Sequence, residues 1–338
     1  MIALGMMQML FFIRHYRLGL AFLACLAGAA PAWAQTPPDL ASRIELRTFS
    51  SLTLTDSQFL QGDAKATPVT LAGELRFPAT PVAGAKLPVV IIVHGSGGNN
   101  SGHENWARAF NRMGVATFML DSLSGRGLTQ VNTDQDRLGR FNMTLDVFRA
   151  QEMLAAHPRI DAERIALIGG SRGGTAVLYS AMRRFQKMWS PNFKAVATFP
   201  LYTSCYDHID EDTDVIGRIH GFSGEADNYV DFRVCAAYFK RMKDAGRDVE
   251  LDTLPGVHHS YDNVLSKAEP TPFVGAQSQF KCVTREEKGV LVNQETKQPF
   301  SYKDACITMN PNLGYSPDAT ARTIAAVTVE LRGLFKLP

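Results

Sequence analysis

The stretch Ile165-Ala-Leu-Ile-Gly-Gly-Ser-Arg-Gly-Gly-Thr-Ala-Val-Leu-Tyr179 shows most directly how this chain folds. Its first four residues are apolar and typical of a buried strand. The residues from Arg172 to about Phe185 have a helical pattern, and two glycines separate the two patterns. The stretch therefore predicts a strand that turns sharply into a helix.

This turn contains a G-x-S-x-G sequence, Gly169-Gly170-Ser171-Arg172-Gly173. A serine in so tight a strand-to-helix turn has a strained backbone and an exposed hydroxyl. Glycines are expected beside it because side chains there would collide with the neighbouring strand and helix. The alternative is a glycine-rich turn whose serine only caps the helix. The flanking patterns favour a nucleophile at Ser171.

The first 34 residues predict a signal peptide. A basic segment, 14–17, precedes an apolar run, 18–27, and Ala32-Trp33-Ala34 places small residues at the two positions that a signal peptidase reads. The apolar run is too short to span a bilayer, which argues against a stable membrane anchor. A lipoprotein signal at Cys25 fits poorly. We expect an exported protein, periplasmic or secreted, that begins near Gln35.

The charge of the chain argues against several classes of partner. The formal net charge is +2, and without the two arginines of the signal peptide the chain has 33 basic and 33 acidic residues. Because there is no Lys/Arg block, neither nucleic acid nor anionic lipid is expected as a partner. No C-x-x-C or His-Glu-x-x-His spacing predicts a metal, and Gly95-Ser96-Gly97-Gly98 lacks the residues of a phosphate-binding loop. We expect a small-molecule substrate and no cofactor.

Four cysteines remain after removal of the signal peptide, an even number that is typical of disulfides in exported proteins. Proximity along the chain favours Cys205–Cys235 and Cys282–Cys306 among the three possible pairings. Each bond would stabilise the fold by about 3–4 kcal/mol through loop entropy. Free buried thiols are the alternative.

Strand and helix patterns alternate along most of the chain. Residues 44–55 and 69–77 predict an antiparallel hairpin. Beyond them, continuous apolar strands alternate with helices, which predicts an α/β fold with a mostly parallel sheet covered by helices on both faces. We expect residues 35–338 to form a single domain. The predicted strands are 89–93, 115–120, 165–168, 195–199, 216–222 and 249–254, and the predicted helices are 104–113, 141–156, 172–185, 231–245 and 318–334.

Ligands of such a sheet bind at the carboxyl ends of its strands, so polar residues that follow apolar strands are site candidates. These positions hold Ser171, Asp227 and the neighbours His258 and His259. The order Ser…Asp…His is the one expected for a nucleophile on a G-x-S-x-G turn. A histidine can take the serine proton and return it to a leaving group, while the acid holds the imidazole in the correct tautomer. The sequence thus predicts a catalytic triad.

Several alternatives remain open for this site. Asp227 could instead cap the helix that begins near Asp231, and Asp231 or Glu225 could supply the acid. Adjacent side chains diverge in a loop, so only one of the two histidines can be the base.

A tetrahedral oxyanion would need two preset N–H donors. We expect one from the backbone of Arg172 and the other from Ser96 or Gly97, in the glycine-rich turn after residue 93.

The chain resembles the dienelactone hydrolase family of α/β-hydrolases from about Val89 to Leu334. The similar segments are Val93-His94-Gly95-Ser96-Gly97-Gly98, Asp121-Ser122-Leu123-Ser124-Gly125-Arg126-Gly127, Asp161-Ala162-Glu163-Arg164-Ile165, Gly169-Gly170-Ser171-Arg172-Gly173-Gly174, Gly224-Glu225-Ala226-Asp227 and Pro255-Gly256-Val257-His258-His259-Ser260-Tyr261-Asp262. The resemblance implies an α/β-hydrolase fold. It also selects His259, because the family's histidine lies four residues after the proline of that last motif. Similar members carry cysteines near positions 205 and 235.

The chain departs from the family pattern in two places. Name-giving members use a cysteine nucleophile, whereas this chain has Ser171, so the family name does not imply the substrate. The stretch 263–316 contains Cys282 and Cys306 and is expected to be a disulfide-stapled excursion bordering the active site. The alternative is a passive surface loop.

Two further residues, His94 and Arg126, are candidates for substrate binding. Arg126 could clamp a substrate carboxylate. It could equally pair with Asp121 or Asp136 and hold its own loop.

The sequence as a whole predicts an exported serine hydrolase that cleaves a carboxylic ester or lactone through an acyl-enzyme. A peptidase or amidase with the same triad is the main alternative. A catalytically silent binding protein on this fold is a third hypothesis, although such a protein would not need all three residues.

Overall fold

A computed structural model describes residues 43–79 and 86–337 of the chain. These residues belong to one compact unit, Leu40–Pro338. The predicted signal peptide lies outside the described residues. None of the described helices is both long enough and apolar enough to cross a membrane.

An eight-stranded sheet forms the centre of the molecule. The strands of the described chain are β1 Ile44–Thr53, β2 Thr67–Arg76, β3 Leu87–Val93, β4 Ala116–Asp121, β5 Ile160–Gly170, β6 Ala197–Leu201, β7 Asp207–His208, β8 Arg218–Gly224, β9 Val249–Leu254, β10 Thr271–Pro272, β11 Gln277–Ser278, β12 Thr284–Glu287, β13 Val290–Asn293, β14 Thr308–Met309 and β15 Asn312–Leu313. The helices are α1 Asp56–Gln61, α2 Ser101–Arg112, α3 Asn142–Ala155, α4 Arg172–Ser180, α5 Arg183–Trp189, α6 Phe232–Asp244 and α7 Pro317–Leu334.

The strand order in the large sheet is β1-β2-β4-β3-β5-β6-β8-β9. β1 pairs with β2 and β2 with β4 in antiparallel fashion, and all the other neighbours are parallel. This topology confirms the predicted α/β-hydrolase fold. It also brings the carboxyl ends of β3, β5, β6, β8 and β9 to one edge of the sheet.

The central strand β3 shows why the sheet needs helices on both faces. All seven of its residues are buried. Because alternate side chains point to opposite faces of the sheet, both faces must be covered for this to happen. Val89 and Ile91 belong to the core that includes Met143 of α3. Ile92 belongs to the opposite core, which includes Trp106 of α2 and Leu331 of α7. A continuous apolar strand is therefore the expected signature of this position.

The connection between β1 and β2 differs from the predicted hairpin. The two strands pair in antiparallel fashion as expected, but α1 lies between them. Thr55 and Gln58 form a capping box at the start of this helix, and Phe59 and Leu60 are buried. The T-x-x-Q spacing is a helix-start signal, and the predicted hairpin did not include a helix at this position.

The helix that follows Ser171 is also different from the prediction. It divides into α4 and α5 at Ala181 and Met182. Met182 has an extended backbone and forms a β-bridge with Val215, and the N–H of Ile216 donates to the carbonyl of Ala181. Pairing with a distant segment thus interrupts a pattern that looks continuous in the sequence.

Residues 263–316 form three small sheets rather than a structureless loop. β10 pairs with β15, β11 with β14, and the hairpin β12–β13 pairs with β7. A disulfide between Cys282 and Cys306 closes this excursion, and a second between Cys205 and Cys235 links the segment after β6 to α6. These are the pairs that chain proximity favours.

A buried ion pair fastens the loop after β4 to the rest of the fold. Both guanidinium Nη atoms of Arg126 donate to the carboxylate of Asp146, at 2.7 and 2.9 Å. Arg126 also donates to the carbonyls of Ser122 and Leu52, and Asp146 accepts a further bond from Ser51. The two side chains are 4% and 0% exposed. These contacts occupy the guanidinium and favour the structural alternative for Arg126 over substrate binding, with Asp146 as its partner rather than Asp121 or Asp136.

We predict that Arg126→Gln lowers the free energy of unfolding by about 3–5 kcal/mol, because it leaves the buried Asp146 carboxylate without its counter-charge. Urea denaturation measures the change. Arg108→Gln is the matched control: Arg108 is 63% exposed and its ion pair with Glu104 is worth about 0.5 kcal/mol or less. Equal stabilities for the two variants would contradict this role for Arg126.

Candidate active site

Ser171 occupies the sharp turn between β5 and α4. Its backbone angles are φ 57° and ψ −123°, a region that residues with a side chain rarely adopt. The side chain makes no capping hydrogen bond with the helix. The N–H of Ser171 donates to the carbonyl of Leu201, which ties the turn to the end of β6. The strain is typical of a positioned nucleophile rather than of a helix cap.

Glycine is required on both sides of Ser171 because neighbouring atoms lie too close for a side chain. A Cβ at Gly173 would lie 2.2 Å from the carbonyl oxygen of Val93 and 2.5 Å from that of His94. One at Gly170 would lie 2.2 Å from the hydroxyl of Tyr202. The ends of β3 and β6 can therefore reach Ser171 only because these positions have no side chain.

Asp227 and His259 form a buried pair at the same edge of the sheet. His259 Nδ1 donates to Asp227 Oδ2 at 2.7 Å, and the residues are 2% and 5% exposed, respectively. The other carboxylate oxygen of Asp227 accepts from the N–H groups of Tyr229 and Val230. Both oxygens of the acid are satisfied, so the imidazole is held in one tautomer with Nε2 available.

The alternative acids have other partners. Asp231 caps α6 and forms an ion pair with Arg233. Glu225 accepts a hydrogen bond from Thr253. Among the described carboxylates, Asp227 is the one that hydrogen-bonds His259, as the strand-end argument predicts.

Two aromatic rings flank the imidazole of His259. The ring centroids of Tyr202 and Tyr229 lie 4.8 and 4.5 Å from that of His259. Tyr202 is in turn fixed by a hydrogen bond from its hydroxyl to Asp262, which also accepts from Trp106. No motif in the sequence points to Tyr202 or Tyr229. Tyr202 directly follows the strand β6, which is the one signal that could have revealed it.

His94 is fully buried and does not line the cleft. Its Nδ1 donates to the carbonyl of Gly95 at 2.7 Å, and its Nε2 accepts from the N–H of Ser122 at 3.0 Å. Burial lowers the pKa of His94, which keeps the ring neutral for this pattern of one donor and one acceptor. The expected role of His94 in substrate binding is therefore wrong. The residue joins the loops that follow β3 and β4.

A cleft of about 440 Å³ joins the predicted residues. Ser171 and His259 line it, together with Ser96 and Gly97 from the turn after β3. Arg172 is the first residue of α4, so its N–H has no acceptor within the helix. A larger cleft, about 770 Å³, is lined by neither Ser171 nor His259 and lies beside α1. We take the cleft of about 440 Å³ as the candidate site because the predicted serine and histidine both line it.

Comparison with known proteins identifies the family. The profile of the "Dienelactone hydrolase family" matches residues 76–283. The chain belongs to the dienelactone hydrolase family. The matched region includes Ser171, Asp227 and His259 and ends just after Cys282, so most of the excursion and all of α7 lie beyond it. No match was found among curated proteins.

Solved structures support the fold of this dienelactone hydrolase family member. A dienelactone hydrolase-like promiscuous phosphotriesterase, P91, from metagenomic libraries is 17% identical and has a TM-score of 0.55, with 87% of this chain and 99% of that chain covered. The protein m3DLH is 19% identical, with a TM-score of 0.56 and coverage of 87% and 99%. Thermogutta terrifontis esterase 2, phosphoramylated by tabun, is 14% identical, with a TM-score of 0.52 and coverage of 88% and 97%.

The excursion of this family member borders the cleft, as the sequence predicts. Phe273 and Leu313 line it. Leu313 forms a β-bridge with His259, and the N–H of Gly314 donates to the carbonyl of His259. The excursion therefore forms one wall of the site and supports the histidine.

The described residues contain one cluster of three potential metal ligands, His220, Glu250 and Asp252. These residues lie on β8 and β9, and none of them lines the cleft.

We predict that Gly173→Ala destabilises the protein by about 3 kcal/mol or more, since the new methyl group would overlap two backbone carbonyls and over-packing of this kind is costly. Thermal unfolding with a far-UV signal measures the loss. Gly333→Ala, near the end of α7, is the matched control because a Cβ there meets nothing within 4 Å. This control is expected to be neutral or stabilising by up to about 1 kcal/mol. A stable Gly173→Ala protein would refute the close-approach argument.

Proposed function

We propose that the protein is an exported serine hydrolase that cleaves a carboxylic ester through an acyl-enzyme. The observation that supports this most strongly is the buried Asp227–His259 pair, which shares a cleft with the strained Ser171. Membership of the dienelactone hydrolase family favours ester chemistry. The phosphotriesterase and esterase names of the structural neighbours agree with it.

Each residue has one role in the proposed reaction. Ser171 Oγ attacks the ester carbonyl carbon while its proton passes to His259 Nε2. Asp227 holds the Nδ1 proton and stabilises the imidazolium that forms. As the tetrahedral intermediate collapses, the bond to the alkoxy oxygen breaks and His259 donates its proton to the departing alcohol. Water then attacks the acyl-enzyme by the same route and releases the acid.

The oxyanion of each intermediate would be bound by backbone N–H groups. Arg172 supplies one donor from the first turn of α4, where the helix dipole also favours negative charge. Ser96 or Gly97 supplies the other. Each such donor typically contributes about 3–4 kcal/mol to transition-state stabilisation.

We predict that Ser171→Ala and His259→Gln each lower kcat for 4-nitrophenyl acetate by about 10³-fold or more, because either change removes the nucleophile–base unit. His258→Gln is the matched control: it changes the neighbouring imidazole, which does not line the cleft, and should retain activity within a few-fold. Initial rates at 405 nm measure the three effects.

Covalent labelling gives an independent check on the nucleophile. A fluorophosphonate probe should modify the peptide that contains Ser171, and the Ser171→Ala protein should remain unlabelled. Wild-type protein that is inactive on esters and is not labelled would refute the proposal and favour a binding protein on this fold.

Export is part of the same proposal. It is supported by the n-region, apolar run and Ala32-Trp33-Ala34 of the leader, and by the two disulfides, which persist in oxidising compartments. We predict that the protein recovered from a periplasmic or culture fraction begins near Gln35, as read by N-terminal sequencing. Recovery of the uncleaved chain from the cytoplasmic fraction would contradict this.

A further inference from the structure

Two neighbouring strands at the edge of the large sheet bring a histidine and two carboxylates together, away from the cleft of Ser171. His220 of β8 lies directly beside Glu250 of β9 in the parallel pairing. Asp252 follows two residues later on β9 and so shares the same face. Ligand atoms of the three side chains lie within 4.8 Å of one another. Because the set is assembled across two strands, no spacing in the sequence reveals it.

The imidazole of His220 has one nitrogen in use and the other unpaired. Its side chain is 8% exposed, and Nδ1 donates to Glu330 Oε2 of α7 at 2.8 Å. Nε2 is buried and has no hydrogen-bond partner among the described residues. It lies 3.5 Å from Asp252 Oδ2 without the geometry of a hydrogen bond. With the proton on Nδ1, the neutral ring presents a lone pair at Nε2, which is the form in which histidine binds metals.

Glu330 gives His220 the support that metal-binding histidines usually have. Such a histidine donates its second ring N–H to a carboxylate or carbonyl, which fixes the tautomer and the orientation of the ring. Glu330 is itself fixed, because its Oε1 accepts from Arg218 Nε at 2.7 Å. The direction of the Nε2 lone pair is therefore set by the fold.

The charges around His220 favour a cation. Arg218 also pairs with Asp248 and Glu250, so its one guanidinium serves three carboxylates. Asp252 adds a fourth carboxylate beside the ring. The group remains negative whether His220 is neutral or protonated. A protonated ring shared between two acids is the alternative, but it would need a hydrogen bond from Nε2, and Nε2 forms none with the described residues.

The position is accessible and has suitable dimensions for an ion. The side chains of Glu250 and Asp252 are 51% and 46% exposed, so they can turn toward an ion that arrives from solvent. His220 and Glu250 line a groove of about 600 Å³. Two ligands of a tetrahedral zinc ion lie about 3.3 Å apart, since each bond is about 2.0–2.1 Å long. The 3.5 Å between Nε2 and Asp252 Oδ2 is close to that value.

We propose that His220 Nε2, Glu250 and Asp252 bind a divalent transition-metal ion of the zinc class, with Glu330 orienting the imidazole. An imidazole ligand favours zinc over magnesium or calcium, which prefer oxygen ligands alone. Three protein ligands leave a fourth position for water. Bound there, the ion joins β8 to β9, the last strand of the sheet, and through Glu330 it connects both strands to α7. The expected effect is stabilisation of this edge.

Calorimetric titration of ZnCl₂ into protein first treated with EDTA tests the site. We expect one zinc ion per chain with micromolar or tighter affinity. His220→Gln and Asp252→Asn should each weaken binding by about tenfold or more, and Glu330→Gln by about tenfold through the orientation of the ring. Asp252→Asn is the most informative variant, because this carboxylate is half-exposed and its loss should leave the fold intact.

Asp248→Asn is the matched control. It removes a carboxylate that is 70% exposed and pairs with Arg218, but Asp248 does not belong to the proposed ligand set. Zinc affinity should stay within about threefold of wild type, since screening weakens the effect of an exposed charge that is not a ligand. An equal loss in Asp248→Asn and Asp252→Asn would show general attraction by negative charge and overturn the site.

Two further measurements address the metal class and the location. MgCl₂ and CaCl₂, titrated in the same way, should bind about 100-fold more weakly than ZnCl₂, and tighter binding of either overturns the zinc assignment. Saturating zinc should raise the wild-type Tm by about 3 °C or more and leave that of Asp252→Asn nearly unchanged. Absence of zinc binding at about 100 µM, or equal Tm shifts in the two proteins, overturns the proposal. None of these readouts depends on Ser171.

Discussion

The absence of a Cβ atom at a few positions is the constraint on which this structure depends. Gly173 lets the carbonyls at the end of β3 approach α4, and Gly170 lets the Tyr202 hydroxyl approach the end of β5. These contacts gather three strand ends around one turn. They also impose the backbone strain at Ser171, since a relaxed turn would separate the same elements. Close packing of the backbone therefore sets the positions of the strand ends that carry the site.

Buried polar groups then hold the loops around that turn in place. His94 joins the loops after β3 and β4, and Arg126 with Asp146 fastens the second of these loops to α3 and β1. One carboxylate oxygen of Asp227 accepts hydrogen bonds from backbone N–H groups, and the other accepts one from His259 Nδ1. Such groups are stable inside a protein only when every donor and acceptor is matched.

Much of the fold could be predicted because its signals are local. Each of these signals predicts the structure of residues that are close to it in the sequence. Examples are the apolar run of β3, the glycines beside Ser171 and the polar residues that follow each strand. Other features depend on partners far along the chain. The helix break at Met182 comes from pairing with Val215. The burial of His94 and of the Arg126 side chain depends on contacts with distant parts of the chain that no local pattern indicates.

The sequence by itself determined the α/β-hydrolase fold, the position of the strained serine and the order of the candidate triad, because periodicity and the steric demands of glycine are short-range properties. Only the tertiary structure decided that Asp227, rather than Asp231 or Glu225, hydrogen-bonds His259. It also decided that Tyr202 and Tyr229 flank the imidazole and that Arg126 forms a buried ion pair with Asp146. The physical reason is that burial and hydrogen-bond partners are set by how all the elements pack together, and no segment of the chain carries that information alone.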